Sequence, residues 1–110
     1  MSDRRTEKII EVIRQAAANF MERESSGSSL ITITRVVLSI DGKYANILFT
    51  VLPENMQDAA LQFAKRMRSE FREYVKSNTR LGIIPTFDFE IDYGEKNRQK
   101  IDLISLKSQK

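Results

Sequence analysis

The sequence predicts a single α+β domain with the element order α-β-β-α-β. Three observations carry that expectation. Two stretches repeat apolar residues at helical spacing, two β-rich runs are separated by a turn dipeptide, and a later stretch alternates apolar with acidic residues. A chain of 110 residues has room for one core. The expected boundaries are one domain over residues 1–93 and a basic C-terminal tail over 94–110.

The first helix is expected from about Asp3 to Arg23, because Ile9, Ile10, Ile13, Ala16, Ala17 and Phe20 fall on one stripe. Ser25–Ser29 is a small polar run around Gly27 and reads as a mobile loop. Two strands should follow, Leu30–Ile40 and Lys43–Leu52, joined at Asp41-Gly42, a pair suited to a two-residue hairpin turn with positive φ at both positions. That turn sets Leu38 opposite Ala45, Val36 opposite Ile47, Thr34 opposite Phe49 and Thr32 opposite Val51. Pro53 ends the second strand. Asn55, with Asp58 three residues on, reads as the N-cap of a long helix reaching about Ser77, with a core stripe of Ala60, Phe63, Ala64, Met67, Phe71, Tyr74 and Val75. Phe87, Phe89 and Ile91 then alternate with Asp88, Glu90 and Asp92, the period of a half-buried strand.

Composition narrows the chemistry. The chain has no histidine, cysteine or tryptophan, which removes Ser-His-Asp and Cys-His nucleophile systems, Cys/His zinc sites and disulfides. It also has no GxxxxGK[ST] or GxGxxG phosphate loop. No enzyme activity, catalytic residue, metal site, cofactor or small-molecule substrate is expected. Asp88, Glu90 and Asp92 share one strand face, but alternate residues stand roughly 6.6 to 6.8 Å apart, too far to surround one magnesium ion unaided. They read as a solvated face that discourages edge pairing. The opening Met1–Lys8 has no apolar run behind it, and no stretch is long and apolar enough to span a membrane, so a cytoplasmic, membrane-free protein is expected. No interface pattern repeats, and the expected state is a monomer.

Eighteen basic against fifteen acidic residues give a net charge of +3. The excess is local: both signs balance up to residue 54, residues 55–80 and 94–110 are basic, and 81–93 carry only acids. On the long helix Lys65, Arg68, Arg72 and Lys76 fall on one stripe away from the apolar one, and Arg80 lies just beyond. At about 1.5 Å per residue the row spans about 16 Å, enough to meet several phosphates. An ordinary solvated helix face would carry similar residues. Glu70 and Glu73 lie off the row instead of interleaving with it, which favours phosphate binding. Arg4, Arg5 and Lys8 near the start, and Lys96, Arg98, Lys100, Lys107 and Lys110 in the tail, could widen such a footprint.

The order α-β-β-α-β with a basic helix before the last strand is similar to the type II KH arrangement of RNA-binding proteins. A KH domain clamps the nucleic-acid backbone with a GxxG loop, whereas Gly27, Gly42, Gly82 and Gly94 are never three apart. One family shares the fold without GxxG. Arg4-Arg5 with Ile9-Ile10-Glu11-Val12-Ile13, Leu30 to Val36, Leu38-Ser39-Ile40-Asp41 with Tyr44-Ala45, Met67-Arg68-Ser69-Glu70, and Ile83-Ile84-Pro85 with Phe89 and Asp92 together resemble ribosome-binding factor A. That resemblance implies a type II KH-like fold lacking GxxG. It also implies a non-catalytic assembly factor that binds the free small (30S) ribosomal subunit and its 16S rRNA, and assists late maturation and 5′-end processing, most of all in the cold. Candidate RNA contacts are Lys65, Arg68, Arg72, Lys76, Arg80, Arg4, Arg5 and Lys8. The family usually has an Ala-x-Gly kink where this chain has Phe63-Ala64-Lys65, so the helix here is either straighter or bent elsewhere. Where the family tends to have arginine three residues before the proline, this chain has Gly82, and Arg80 could stand in for it. The residues alone also allow a generic KH-like single-stranded RNA-binding module, or a protein-interaction adaptor.

Overall fold

The structure is a computed structural model, and it describes residues 4–24 and 29–94. Most of the serine-rich loop and all but the first residue of the basic tail lie outside the described residues. The chain forms α1 (Arg4–Glu24), β1 (Leu30–Leu38), β2 (Tyr44–Leu52), a short 3₁₀ turn (Glu54–Met56), α2 (Gln57–Arg66), α3 (Arg68–Asn78) and β3 (Thr86–Ile91). This is the expected α+β, type II KH-like order, with the long helix divided in two.

The strands form one sheet in the order β1-β2-β3. β1 and β2 are antiparallel, and β3 lies parallel to β2. A parallel neighbour requires a crossover, and α2 and α3 provide it. All three helices therefore stack on one sheet face. Ile13, Ala17 and Phe20 from α1, Ala64 from α2, and Phe71 and Val75 from α3 bury against Ile47, Phe49 and Val51 of β2 and Phe87 and Phe89 of β3. Phe71 is the hub: its ring meets Phe87 at 4.7 Å, Phe20 at 5.3 Å and Phe89 at 5.6 Å, all edge-on. Phe63, Met67 and Tyr74 of the expected stripe are only partly buried.

Three local expectations are corrected. The hairpin turn is not the two-residue form: among the described residues no non-glycine has positive φ, so Asp41 does not adopt it, and only Gly42 does, at 74°. The chain instead loops through 40–43, closed by the Gly42 N–H donating to the Ser39 carbonyl (2.9 Å) and the Ser39 N–H donating to the Tyr44 carbonyl (2.8 Å). Asp41 stays in ordinary backbone space, because its carboxylate accepts from the Ser39 hydroxyl (2.7 Å) and the Lys43 N–H (3.0 Å).

The register holds only near the turn. Leu38 pairs with Ala45 and Val36 with Ile47, as expected, but a bulge at Thr34 then shifts the pairing, so that Ile33 meets Phe49, Ile31 meets Val51 and Thr32 meets Thr50. The unshifted register would have aimed Thr32 and Thr34 at the core. One extra residue turns Ile31 and Ile33 inward instead. In the sequence the change shows only in part: Ile31 and Ile33 give way to Val36 and Leu38, but Leu30 and Val37, both exposed, break the alternation on either side.

Asn55 is not an N-cap. It lies inside the 3₁₀ turn, whose Met56 N–H donates to the Pro53 carbonyl (3.0 Å), and α2 begins after Met56 with no side-chain cap. The helix bends at Met67, four residues past the Phe63-Ala64-Lys65 segment's start. Met67 leaves the helical region (φ −92°, ψ 9°), and its N–H is shared between the carbonyls of Phe63 and Ala64 at 3.1 Å each. The Arg68 side chain supports the break by donating from Nε to the Lys65 carbonyl (3.0 Å).

Candidate nucleic-acid interface

The helix break sets the position of the basic row. Lys65 at the end of α2 and Arg68 at the start of α3 both turn toward the edge strand β3, where Asp88 stands on the sheet face away from the core. Lys65 Nζ donates to Asp88 Oδ1 at 2.9 Å, and an Arg68 guanidinium nitrogen reaches the same oxygen at 3.3 Å. Asp88 Oδ1 also accepts from the Phe89 N–H at 2.8 Å. Burial pushes the Asp88 carboxyl up, but the Lys65 and Phe89 hydrogen bonds and the charges of Lys65 and Arg68 outweigh it and hold the group below the usual aspartate range. The acidic strand face is therefore not merely solvated, as its sequence suggested. Asp88 fastens the helix break to β3, and Asp92 accepts from the Thr34 hydroxyl at 2.6 Å, joining the end of β3 to the β1 bulge.

One turn further along α3, an Arg72 guanidinium nitrogen lies 3.4 Å from the Ile84 carbonyl, and Arg72 remains exposed. Lys76 is exposed and makes no ion pair or hydrogen bond among the described residues. The row thus has a structural half, Lys65 and Arg68, and an open half, Arg72 and Lys76.

The remaining candidates fall elsewhere. Tyr74 and Asn78 each stand two residues from a row member, roughly 200° round the helix, and this opposite flank of α3 faces α1. Phe20 packs against Tyr74 (5.4 Å between rings), and the Arg23 guanidinium lies 4.9 Å over the same ring. The cleft between the two helices continues to Val12 on α1 and to Arg80 beyond α3. The helices therefore run in opposite directions, and Arg80 belongs to the α1 side instead of extending the row. Lys8 lies one turn before Val12 on the same flank of α1, while Arg4 and Arg5 occupy its exposed first turn. The eight candidates thus form two surfaces with the body of α3 between them. Sequence reasoning missed Arg23, and it missed Asp88 as the partner of the row. The sequence offered no contact to link residues 65 and 88.

Comparison with known proteins identifies the chain. Over residues 3–105 its sequence matches the family described as ribosome-binding factor A. The chain belongs to that family. Among its relatives, ribosome-binding factor A of Kosmotoga olearia is 31% identical over 98 residues, covering 88% of this chain and 78% of that one. The Coprothermobacter proteolyticus protein of the same name is 29% identical over 94 residues, covering 84% and 69%. The crystal structure of ribosome-binding factor A from Thermus thermophilus superposes with a TM-score of 0.68 at 19% identity, covering 76% of this chain and 92% of that one, a likeness of fold. A Thermotoga maritima protein solved in solution gives a TM-score of 0.58 at 25% identity, covering 82% and 85%.

Proposed function

We propose that the protein is a non-catalytic ribosome assembly factor that binds the free small (30S) ribosomal subunit through its 16S rRNA. In this reading it assists late maturation and 5′-end processing of that RNA, matters most for growth in the cold, and acts as a cytoplasmic monomer without a cofactor. Family membership over residues 3–105 carries the reading. The open half of the basic row supports it, since Arg72 and Lys76 stand exposed on α3 beside a rigid aromatic core and suit backbone phosphates.

Sedimentation of tagged protein with a cell extract, at moderate and at high salt, tests it. Association with free small subunits that high salt reverses is expected, and Arg72→Glu with Lys76→Glu should abolish it while leaving the circular dichroism unchanged. Arg68 is a poorer choice for charge reversal because it also supports the helix break. Binding to unstructured RNA without binding to any subunit would replace this reading by a generic single-stranded RNA module. RNase-insensitive co-purification with a protein would replace it by an adaptor.

A further inference from the structure

The cleft between α1 and the end of α3 has a chemistry distinct from the row. It encloses about 390 Å³, with Tyr74 in its wall and the side chains of Gln15, Asn19, Asn78 and Arg80 along it. No carboxylate lines it. Glu11 and Glu22, four residues before and seven after Gln15, stand on the neighbouring solvent face of α1 but outside the cleft lining, and Glu11 is engaged by Arg14.

Its three amides are only partly used. Asn78 Nδ2 donates to the Tyr74 carbonyl at 2.9 Å, which leaves its Oδ1 open, and Gln15 Nε2 makes one long contact, 3.4 Å, to Asn19 Oδ1. Gln15 Oε1 and Asn19 Nδ2 are thus open as well, so the cleft presents both donors and acceptors. A phosphate alone would call for donors only, and an apolar side chain for neither. The edges of a nucleobase and the ribose hydroxyl carry both kinds of group. Arg80, exposed and without an ion pair or hydrogen bond among the described residues, adds a cation at the mouth.

We propose that this cleft holds one unpaired nucleotide of a single-stranded RNA segment, with Gln15, Asn19 and Asn78 reading base and ribose and Arg80 holding the adjoining phosphate. The inference rests on the RNA-binding reading given above and adds a second contact to it. The row would position the RNA by its backbone, and the cleft would select unpaired over paired RNA.

The test uses the full chain with three single-stranded probes, oligoadenylate, oligocytidylate and oligouridylate, and an RNA duplex of equal length. Two variants are compared, Gln15→Ala/Asn19→Ala/Asn78→Ala, in which every substituted side chain is exposed and neutral, and Arg72→Glu/Lys76→Glu. The side-chain amide resonances of Gln15, Asn19 and Asn78 should shift on adding at least one single strand and stay still with the duplex. The triple alanine variant should bind that strand on the order of tenfold more weakly with an unchanged salt slope. Unmoved amides, with single strands binding the triple variant as tightly as the parent, would overturn the assignment while the row reading survives. Loss of subunit binding by the triple variant without any amide shift would give the cleft to a protein contact and overturn it too. If neither variant changes binding to RNA or subunit, both readings fail together.

Discussion

Lys65 Nζ lies 2.9 Å from Asp88 Oδ1, and this ion pair ties the end of α2 to the edge strand. Arg68, the first residue of the next helix, reaches the same oxygen at 3.3 Å. Two cations read from the sequence as phosphate ligands are thus already engaged with a carboxylate at the helix break. All three side chains are a third or more exposed, so the pairing is modest in energy. It is nevertheless placed to decide how much positive charge the row offers.

Replacing Asp88 should therefore change binding more than folding. In Asp88→Asn, Lys65 and Arg68 are released, and the slope of log affinity against log salt for the small subunit should steepen by about one. Stability should fall by no more than about 1 kcal/mol. Salt titration of subunit binding, with denaturant unfolding of the same variant, measures both. An unchanged slope would show that neither cation reaches RNA.

The same group sets an acid limit. The folded-state carboxyl of Asp88 titrates below its unfolded value, so its contribution is complete above the unfolded pKa, near pH 4, and is lost as pH falls through the lower folded value. Unfolding midpoints followed downward from pH 6 should drop less steeply in Asp88→Asn than in the parent, the gap closing below about pH 4.

Phe71 is the packing centre, fully buried among three other rings. Phe71→Ala should cost about 3 to 5 kcal/mol. Because a domain of this size has a stability of only about 5 to 15 kcal/mol, the variant is expected to unfold well below the parent's temperature. A calorimetric scan gives the answer directly.

At the bulge the Thr34 hydroxyl lies 2.6 Å from Asp92 Oδ2 and 3.3 Å from the Leu48 carbonyl. Thr34→Val removes the hydroxyl that donates to Asp92 but keeps the shape, and it should destabilise by about 0.5 to 1.5 kcal/mol. Hydrogen exchange should show faster opening of β3 after Glu90, with β2 unaffected. Equal acceleration across the sheet would mean that the bond supports the whole fold instead of the end of one strand.

The chain itself determined its apolar periodicities, and from them the kind and order of the regular segments. Ile13, Ala17 and Phe20 repeat at helical spacing and Phe87, Phe89 and Ile91 at strand spacing, so each buries one face wherever it packs. Local chemistry also marked the Asp41-Gly42 turn and the charge excess over residues 55–80. The bulge at Thr34 was only partly legible, because the shift from Ile31 and Ile33 to Val36 and Leu38 is blurred by the exposed Leu30 and Val37, and a hairpin register drawn from the turn alone passes over it. The place of the helix break was not legible, since no glycine or proline marks it, and the contacts of Lys65 and Arg68 with Asp88, twenty and more residues away, exist only once the crossover lays β3 beside β2. For the same reason only the tertiary structure divided the basic residues into a row fastened to β3 and a cleft against α1. Charge and spacing are properties of one helix, whereas the partner across a contact is chosen by how separate segments pack.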